Sequence, residues 1–422
     1  MNRKQRPEGN QRESAELVDE LVSGARGFRD LPSDLPAEEA ARIRRSALEA
    51  KTGVSLERTG EYTLDAARAA SRHCENFIGA AQIPIGITGP LSVNGSYVSA
   101  EEEIYVPLAT TEGALIASTN RGCRAIREAG GAVVRVEDIG MTRAPVFRSS
   151  GIEDTRRFLD WVDDNEDRIR EVTESTSGHL ELIDVRSQVF GSSIYLRFRF
   201  RTGDAMGMNM ATVACDRVIR ELIEPETGLP CLALSGNFCV DKKPSAINFL
   251  EGRGKRVWAE VELSAQILDA FLKTTAPDLI EVQYRKNLLG SIAAGSMGYN
   301  AHFANILAAF FIATGQDVAQ VVEGSMGVTM VEARGEDGVL ASVYMPDLPL
   351  GAIGGGTALD TQAEALALLG VKPGAEKGAA AMRLAEILGA TVLAGELSLL
   401  AAFTSSDLAR AHEELGRGQF RD

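Results

Sequence analysis

The stretch from residue 132 to residue 235 constrains the fold more than any other part of the chain, because its hydrophobic pattern alternates between the periods of strands and helices. The clearest element is a strand at 194–200, which places Ile194, Leu196, Phe198 and Phe200 on one face. The predicted elements are strands at 132–136, 180–190, 194–200 and 231–235 and helices at 152–172 and 207–222. Their order, β-α-β-β-α-β, is the ferredoxin-like pattern, so we predict one compact unit of this kind.

The length of the chain requires more than this unit, since 422 residues exceed the size at which a single hydrophobic core stops growing. Short amphipathic helices indicate a small helical N-terminal region at residues 1–75. We therefore predict an α+β protein whose large, helix-rich domain (76–131 and 236–422) carries the ferredoxin-like unit (132–235) as an insert. Within the large domain, the apolar pattern at 257–272 predicts a long helix.

The composition disfavours several classes of partner. Lysine and arginine number 44 against 59 aspartates and glutamates, and the net charge of −15 argues against a nucleic-acid surface or an anionic membrane. The five cysteines are odd in number and contain no C-x-x-C pair, which indicates reduced thiols rather than disulfides or a zinc site. No window reaches about 18 uninterrupted apolar residues, and the first residues lack the apolar segment of a signal peptide. We expect a cytoplasmic protein without a bound metal.

Two adjacent lysines, Lys242 and Lys243, lie in the loop that is chemically most suggestive. Asp241 precedes them, a Gly-Asn turn and Pro244 enclose them, and Gly252-Arg-Gly254 follows. Turn residues of this kind restrict the backbone, and a fixed ammonium is able to stabilise a developing negative charge. Alone, however, a short basic run is more often a solvated loop than a site.

Four other segments are ambiguous by themselves. A helix predicted at 113–129 carries three arginines at every third position from Arg121, which form either a solvated basic face or the edge of an anion site. The turn at 203–209 offers small residues and a helix N-terminus to a phosphate, but it equally fits a tight turn with core methionines. Asp317 is as readily a helix cap as a catalytic acid, and the glycine-rich turn at 350–357 is equally open.

Seven strings occur along the chain in a fixed order: Glu75-Asn-Phe-Ile-Gly79, Ala109-Thr-Thr-Glu-Gly113, Gly140-Met-Thr-Arg-Ala-Pro145, Asp204-Ala-Met-Gly-Met-Asn209, Asp241-Lys-Lys-Pro244, Gly315-Gln-Asp317 and Ala394-Gly-Glu-Leu-Ser-Leu399. In this order they resemble the 3-hydroxy-3-methylglutaryl-CoA (HMG-CoA) reductase family, over roughly residues 75–412. The string Ala205-Met-Gly-Met208 is more similar to the eukaryotic and archaeal class than to the other bacterial class. The resemblance implies reduction of HMG-CoA to mevalonate and free CoA by two hydride transfers.

The resemblance also implies a catalytic set, formed by Glu112, Lys242, Asp317 and His412. Lys242 would stabilise the oxyanion of the carbonyl group, and Asp317 would orient that lysine. His412 would protonate the departing CoA thiolate after the terminal segment closes over the site. Glu112 would supply the proton for the aldehyde step, which requires a raised pKa; the division of labour between Glu112 and Lys242 stays open.

Three binding sets follow from the same residue-by-residue matching. The residues implied for the glutaryl end are Arg143, Ser235, Asp241, Lys243, Lys286 and Asn305. Those implied for CoA are Ser118, Asn120, Arg121 and Arg124, and those implied for the dinucleotide, which the insert would bind, are His179, Asp204, Met206, Gly207, Met208, Asn209, Gly354, Gly355 and Gly356. In this family the active site forms between two subunits, so the resemblance implies a homodimer, and the pairing of dimers into a tetramer stays open.

One departure from the family pattern bears on the cofactor. Members that use NADPH carry Ser-Arg before the second strand of the insert, whereas this chain has Ser177-Gly-His179. Gly178 therefore stands where an arginine would meet the extra ribose phosphate. We expect NADPH, with His179 in place of the arginine; the alternative is an enzyme that prefers NADH, working in mevalonate degradation.

Two other classes of protein are disfavoured. A nicotinamide-dependent hydroxyacid dehydrogenase predicts a strand followed by G-x-G-x-x-G and an acidic residue about 20 positions further on, and the sequence contains no such unit. A catalytically silent binding protein predicts the loss of at least one charged catalytic residue, yet all four are present.

Overall fold

The computed structural model describes residues 8–374 and 376–404. The chain divides into two compact units. The smaller unit ends at Pro84 and includes the short segment Leu359–Thr361, and the larger unit is formed by Ile85–Ala358 and the chain from Gln362 onward. Every predicted site residue that the structure describes belongs to the larger unit.

The helices have these bounds: α1 (Glu8–Ser23), α2 (Ala37–Thr52), α3 (Ala66–Arg72), α4 (Leu115–Glu128), α5 (Ile152–Asp164), α6 (Glu166–Glu174), α7 (Met208–Val218), α8 (Glu224–Thr227), α9 (Ala246–Glu251), α10 (Ala265–Ile267), α11 (Ala276–Val282), α12 (Ser291–Ala294), α13 (Phe303–Thr314), α14 (Val321–Gly324), α15 (Asp360–Leu368) and α16 (Ala379–Thr404). Short π-helical stretches occur at Ile219–Ile223, Leu268–Leu272 and Gln283–Gly290, and 3₁₀ turns at Arg58–Gly60, Val318–Gln320 and Gly355–Ala358.

The strands have these bounds: β1 (Ile85–Leu91), β2 (Val93–Asn94), β3 (Ile104–Ala109), β4 (Ala132–Arg143), β5 (Val146–Arg148), β6 (Glu181–Phe190), β7 (Ser193–Arg201), β8 (Cys231–Ala233), β9 (Arg253–Leu263), β10 (Gly298–Tyr299), β11 (Gly327–Arg334) and β12 (Gly338–Leu348). Ten of them form one continuous sheet in the order β10-β11-β12-β9-β4-β7-β5-β8, with β2 beside β4 and β6 beside β7. β1 and β3 form a separate antiparallel pair.

The smaller unit is built by α1, α2 and α3, which confirms the helices predicted in the N-terminal region. Leu17 and Leu21 of α1 pack with Ile43 and Ala47 of α2 in one buried cluster. Phe77 closes a second cluster with alanines of α2 and α3. Amphipathic periodicity was a sufficient signal here, because each helix buries one face against its neighbours.

The helix predicted at 257–272 is wrong over its first half, which belongs to β9. Val257, Ala259, Val261 and Leu263 are buried, and the residues between them are exposed. This burial has the period of two that a strand requires. Helical structure begins only after β9 ends, with α10 and the π-helical stretch that follows.

The segment with the predicted β-α-β-β-α-β order forms antiparallel strands covered by helices. The prediction is wrong for its first strand, 132–136, which pairs with β9 instead, and only the end of β4, from Met141 to Arg143, pairs with β7. β4 and β5 lie end to end beside β7, with β6 on the other side of β7 and β8 beside β5. The alternation predicted for β7 is confirmed, because Ile194, Leu196, Phe198 and Phe200 are all buried. The helix predicted at 152–172 is two helices, α5 and α6, which meet at Asn165.

The longest helix, α16, runs through the core of the larger unit and packs against β4, β9, α4 and α13. By length and composition it is apolar enough to cross a membrane, but 83% of its most apolar window is buried inside the protein. This burial is typical of the core helix of a globular domain. The same helix carries two fully buried glutamates, Glu386 and Glu396.

Candidate active site

The lysine loop, defined as residues 236–244, connects β8 to α9 and has a strained backbone. Asn237, Val240 and Lys242 have φ angles of 64°, 52° and 61°. Residues other than glycine rarely adopt this left-handed region, and a β-branched residue such as valine is a strong outlier there. The Lys242 ammonium nitrogen lies 2.7 Å from Oδ2 of Asp317. The loop is therefore tied to its surroundings, unlike a freely solvated basic run.

Asp317 is a cap and also the ion-pair partner of Lys242. Its Oδ1 accepts a hydrogen bond from the backbone N–H of Ala319 at 3.1 Å and so caps the 3₁₀ turn Val318–Gln320. Its Oδ2 forms the ion pair with Lys242. Because the cap fixes the carboxylate, the ammonium of Lys242 is held at a defined point.

Two buried side chains bind Asp241, the residue directly before Lys242. Its Oδ1 accepts hydrogen bonds from Nη2 of Arg253 at 3.0 Å and from Nε2 of Gln320 at 3.0 Å. Burial favours the neutral acid, but the charge of Arg253, the bond from Gln320 and the charge of Lys242 outweigh it and lower the pKa of Asp241. The carboxylate is thus ionised and fixed at neutral pH.

Three other implied residues lie in the lysine loop or in the segments next to it. Lys243 is exposed and donates to the backbone carbonyl of Asp241 at 2.9 Å. Ser235 lies 3.5 Å, Oγ to Sγ, from Cys239. Arg143 ends β4, and its buried Nε has no hydrogen-bond partner within the described ranges. A buried guanidinium nitrogen without a partner suits a site for a carboxylate ligand.

A second group of implied residues gathers near the N-terminus of α13. Glu112, in the loop before α4, accepts a hydrogen bond from Nδ2 of Asn305 at 3.0 Å. Lys286 is half-buried, with its ammonium nitrogen 5.3 Å from the centroid of the Phe403 ring. Burial lowers the pKa of Lys286, and the charge of Glu396 opposes this shift.

The structure thus places three of the implied catalytic residues, Glu112, Lys242 and Asp317, in two groups within one chain. Asn305, which binds Glu112, lies in the first turn of α13, and Asp317 follows the end of the same helix. A helix of twelve residues is about 18 Å long. No hydrogen bond or ion pair joins Glu112 to Lys242 in the described part of the chain.

The two glycine-rich turns implied for the dinucleotide lie side by side. Ala205 forms a parallel β-bridge with Ile353, and the carbonyl of Asp204 accepts the N–H of Ala352 at 2.7 Å. A Cβ on Gly351 would overlap the backbone nitrogen of Met206. Glycine is therefore required at this close approach of two backbones.

The Gly315-Gln-Asp317 turn joins the same assembly. Gln316 donates to the carbonyl of Gly351 at 3.0 Å and accepts the N–H of Gly351 at 2.9 Å. A Cβ on Gly315 would overlap the backbone of Gly356. The three turns therefore converge, and Asp317 connects them to Lys242.

This assembly has features that suit a pyrophosphate. Met208 and Asn209 are the first residues of α7. The backbone N–H groups of a first helical turn have no acceptor within the helix, and here they point toward the turn that precedes α7. Gly354 has a φ of 84° and open space where a Cβ would be, and Gly355 is nearly as open. An exposed glycine backbone next to a helix N-terminus is a common anion-binding arrangement. The residues present therefore fit a dinucleotide.

The remaining residues implied for the dinucleotide have two different surroundings. Asp204 is buried, and its Oδ1 accepts the N–H of Ala381 at 3.1 Å, so it holds the start of α16. His179 is exposed, and the adjacent Ser177 lies 3.7 Å, Oγ to Sδ, from Met210 of α7. The Ser177–His179 loop therefore borders the first turns of α7.

The residues implied for CoA lie on α4 and already have partners in the chain. Ser118 lies 2.9 Å, Oγ to Oγ, from Ser398, and Nη2 of Arg121 donates to the carbonyl of Ser398 at 2.6 Å. Asn120 accepts the N–H of Gly89 at 3.0 Å. Arg124 is exposed and stacks its guanidinium 4.8 Å from the Phe271 ring centroid. Part of the basic face is thus used for packing α4 against α16.

Sequence reasoning missed a buried polar cluster below the lysine loop. Its members are Asn248, Arg253, Glu323 and Asp347. The only signals were the arginine in Gly252-Arg-Gly254 and a lone glutamate in the apolar run from Val318 to Met326. His412, the fourth implied catalytic residue, lies outside the described residues. Within the described ranges, no group of three or more histidines, cysteines, aspartates or glutamates is arranged to hold a metal.

Solved structures identify the class of fold. A class II 3-hydroxy-3-methylglutaryl-CoA reductase from Streptococcus pneumoniae, solved bound to NADPH in open conformations, matches with a TM-score of 0.65 and 18% sequence identity, over 90% of this chain and 99% of that chain. The fold is therefore that of CoA-thioester reductases of this type.

Sequence comparisons define the family. The family model described as hydroxymethylglutaryl-coenzyme A reductase matches residues 40–417. The 3-hydroxy-3-methylglutaryl-coenzyme A reductase of Methanothermobacter thermautotrophicus is 49% identical over 95% of this chain and 100% of its own length. That of Aeropyrum pernix is 50% identical over 96% of each chain, and reductase 1 of Dictyostelium discoideum is 41% identical over 90% of this chain and 69% of its own length. The chain belongs to the hydroxymethylglutaryl-CoA reductase family, the reductases of the mevalonate pathway.

Proposed function

We propose that this chain reduces HMG-CoA to mevalonate and free CoA with two hydrides supplied in succession by NADPH. The observation that carries the proposal is the ion pair between Lys242 and Asp317, which holds an ammonium at the junction of the three glycine-rich turns. The NADPH found in the Streptococcus pneumoniae reductase supports the choice of cofactor.

The lysine loop supplies the electrostatic part of the reaction. Each hydride addition builds negative charge on the carbonyl oxygen, and the ammonium of Lys242 stabilises that charge. Asp317 holds the ammonium through its own fixed cap, so no reorganisation is needed when the charge develops. The fixed carboxylate of Asp241 and the exposed ammonium of Lys243 bind the polar glutaryl end of the substrate next to Lys242.

The proton transfers fall to Glu112 and His412. Glu112, oriented by Asn305, donates the proton in the aldehyde step. His412 protonates the CoA thiolate that leaves after the first reduction. Arg143, with its unpaired buried Nε, and the half-buried Lys286 bind the terminal carboxylate together with Ser235.

The segment from residue 132 to residue 235 is, in this proposal, a ferredoxin-like insert that binds the dinucleotide. The antiparallel arrangement of β4 with β5, β6, β7 and β8 favours this assignment. The pyrophosphate lies at the N-terminus of α7 and against the Gly354–Gly356 turn. The rest of the larger unit binds substrate and CoA, the latter along the exposed part of α4.

The enzyme functions as a homodimer, or as a tetramer of two dimers, with each active site shared between subunits. The separation of the two catalytic groups by the length of α13 supports this arrangement, because Glu112 and Lys242 must meet one substrate. Mixing Glu112→Gln with Lys242→Ala protein should restore about a quarter of the normal activity, since half of the dimers are mixed and each of these has one intact site. No recovery after verified subunit exchange would contradict shared sites.

The cofactor preference depends on the loop at Gly178 and His179. A Cβ on Gly178 meets no atom within 4 Å, so an arginine side chain fits there. Gly178→Arg should raise the preference for NADPH over NADH, with Gly178→Ala as the matched control, and His179→Ala should lower it. A wild-type protein that strongly prefers NADH would favour the alternative, a reductase that works in mevalonate degradation.

The archaeal relatives, at about 50% identity, favour the eukaryotic and archaeal class for this chain. A cytoplasmic location agrees with the burial of α16 in the protein core.

The direct test is the consumption of reduced nicotinamide in the presence of HMG-CoA, followed by absorbance. Wild-type protein should turn over, and Lys242→Ala and His412→Gln should each lose most of the activity. Absence of turnover by folded wild-type protein would overturn the function. Near-normal rates in Lys242→Ala would overturn the assigned roles alone.

A further inference from the structure

The strain in the lysine loop requires an explanation, because strained backbone persists only where the surroundings hold it. Val240 and Lys242 are both in the left-handed region, at a cost of about 1–3 kcal/mol each. Two buried side chains bind this part of the loop. Glu323 accepts the backbone N–H of Lys242 at 2.9 Å, and Asn248 donates to the carbonyl of Val240 at 3.2 Å. The residue that carries the ammonium is therefore fixed through its main chain as well as through Asp317.

Arg253 extends this support to the dinucleotide side. Its Nη1 donates to Glu323 at 2.6 Å, and its Nη2 donates to Asp241 at 3.0 Å and lies 2.8 Å from Sδ of Met208. The guanidinium is completely buried. It therefore connects the lysine loop, the helix that carries Glu323 and the first residue of α7 in one rigid contact.

The charges in the buried polar cluster are consistent with a role of Glu323 and Arg253 in fixing the lysine loop. Complete burial and the neighbouring Glu323 raise the pKa of Asp347 well above its ordinary range, which favours its protonated form. Asn248 donates to Oδ2 of Asp347 at 2.8 Å. The positive charge of Arg253 is then balanced by Glu323 and Asp241, and Glu323 is the carboxylate that touches both the arginine and the Lys242 backbone.

We propose that Glu323 is a positioning residue for the reduction: its carboxylate fixes the left-handed backbone of Lys242 and, through Arg253, locks the lysine loop to the turn at Met208. This inference rests on the proposed role of Lys242 as the oxyanion partner. It assigns to a buried residue the alignment of the Lys242 ammonium with the reacting carbon.

Two variants of Glu323 separate its effects. Glu323→Ala removes the acceptor of the Lys242 N–H, and kcat should fall about 100-fold, because a misplacement of about 1 Å in an active site has effects of that size. Glu323→Gln keeps an acceptor oxygen and loses the charge opposite Arg253, and kcat should fall about 10-fold. Asp347→Asn is the matched control in the same cluster, and its kcat should stay within about twofold of the wild type, because an amide resembles the protonated acid that burial of Asp347 favours.

The decisive measurement is a double-mutant cycle with Lys242→Ala, under single-turnover conditions with excess enzyme. If Glu323 acts through Lys242, Glu323→Ala should lower the residual rate of Lys242→Ala by no more than about twofold. A general loosening of the protein would instead lower both backgrounds by the same factor and would overturn the proposal. Thermal unfolding of each variant verifies that the folded protein is compared.

The failures of the two proposals are distinguishable. Near-normal kcat in Lys242→Ala would remove the proposed function of the lysine, whatever Glu323 does. An impaired Lys242→Ala together with a folded Glu323→Ala that keeps kcat within about threefold would overturn the positioning role alone. If Glu323→Ala does not fold, Glu323→Gln enters the same cycle, and an unchanged kcat in that variant overturns the proposal.

Discussion

Two regions of the larger unit bury glutamates completely, and they satisfy them in different ways. On α16, Glu386 accepts the backbone N–H groups of residues 96–98 at 2.6–2.9 Å. Glu396 accepts those of Ala301 and His302 and the hydroxyl of Thr329. Below the lysine loop, by contrast, Glu323 faces Arg253 as well as a backbone N–H.

The difference distinguishes buried glutamates that stabilise the fold from a buried glutamate that supports the candidate site. A carboxylate that accepts only backbone N–H groups and hydroxyls, such as Glu386, fixes a loop, and its charge is balanced by partial dipoles. A carboxylate that shares an arginine with Asp241 also sets the electrostatics of the group next to it. Changes on α16 should therefore alter folding first, whereas changes around the lysine loop should alter turnover first.

The largest expected effect is that of Lys242→Ala. If Lys242 is the oxyanion partner as proposed, loss of its ammonium should lower kcat by about 10³-fold, while the folded structure is retained because the side chain is partly exposed. Steady-state kinetics and thermal unfolding measure the two quantities. Lys243→Ala is the matched lysine and should act mainly on KM. Equal effects of the two lysines on kcat would remove the distinction between their roles.

The second largest expected effect is a loss of stability, and it concerns α16. Glu386→Ala leaves three backbone N–H groups without their acceptor, that of Val98 buried and the other two partly buried, and the free energy of unfolding should fall by about 3 kcal/mol. Urea unfolding gives the value, and kcat per folded molecule should be unchanged. Glu386→Gln keeps one oxygen and should lose less stability. A fall in kcat comparable to that of Lys242→Ala would show that α16 and the lysine loop do not differ as described.

The hydrophobic pattern correctly predicted the elements that bury a single face. It failed where the spacing of the apolar residues fits both a helix and a strand. Strand β7 was predictable because its apolar residues alternate strictly with polar ones. In β9, Val257 and Val261 fit a helical spacing of four as well as a strand spacing of two, and Ala259 gives a weak signal for either. The strand forms because β4 and β12 pair with it on both sides, and these partners are remote in sequence.

Contacts between residues that are remote in sequence also limited the prediction of the site. The Lys242 loop and Asp317 were recognisable because turn residues and a motif surround them. Glu323 was not, because its role depends on Arg253, 70 positions away, and on the backbone of Lys242, 81 positions away. The cap expected at Asp317 is confirmed, but it excludes no further role, since one oxygen accepts the cap bond and the other pairs with Lys242.

The third effect tests whether α16 also acts on the site. In the proposed site Lys286 binds the substrate carboxylate, which requires the ammonium form, and burial lowers the pKa of Lys286 although the charge of Glu396 opposes the shift. The ammonium is therefore lost at lower pH than in an exposed lysine, so kcat/KM for HMG-CoA should fall early as pH rises. Lys286→Met should lower kcat/KM about 10-fold at neutral pH and remove this alkaline decline. Glu396→Gln should move the decline to lower pH; an unmoved profile would confine Glu396 to a structural role.

The smallest effect concerns Asp347 and its dependence on pH. The raised pKa of Asp347 means that its contribution to stability is complete below the pKa of the unfolded chain and is lost as pH rises toward the folded pKa. Asp347→Asn cannot ionise, so the variant should lie within about 1 kcal/mol of the wild type near pH 4 and gain relative stability as pH rises. Asp241→Asn is the control of opposite sign, because the lowered pKa of Asp241 contributes stability above the unfolded pKa and loses it as pH falls. Urea unfolding at several pH values measures both slopes, and two slopes of the same sign would contradict a raised pKa of Asp347 beside a lowered pKa of Asp241.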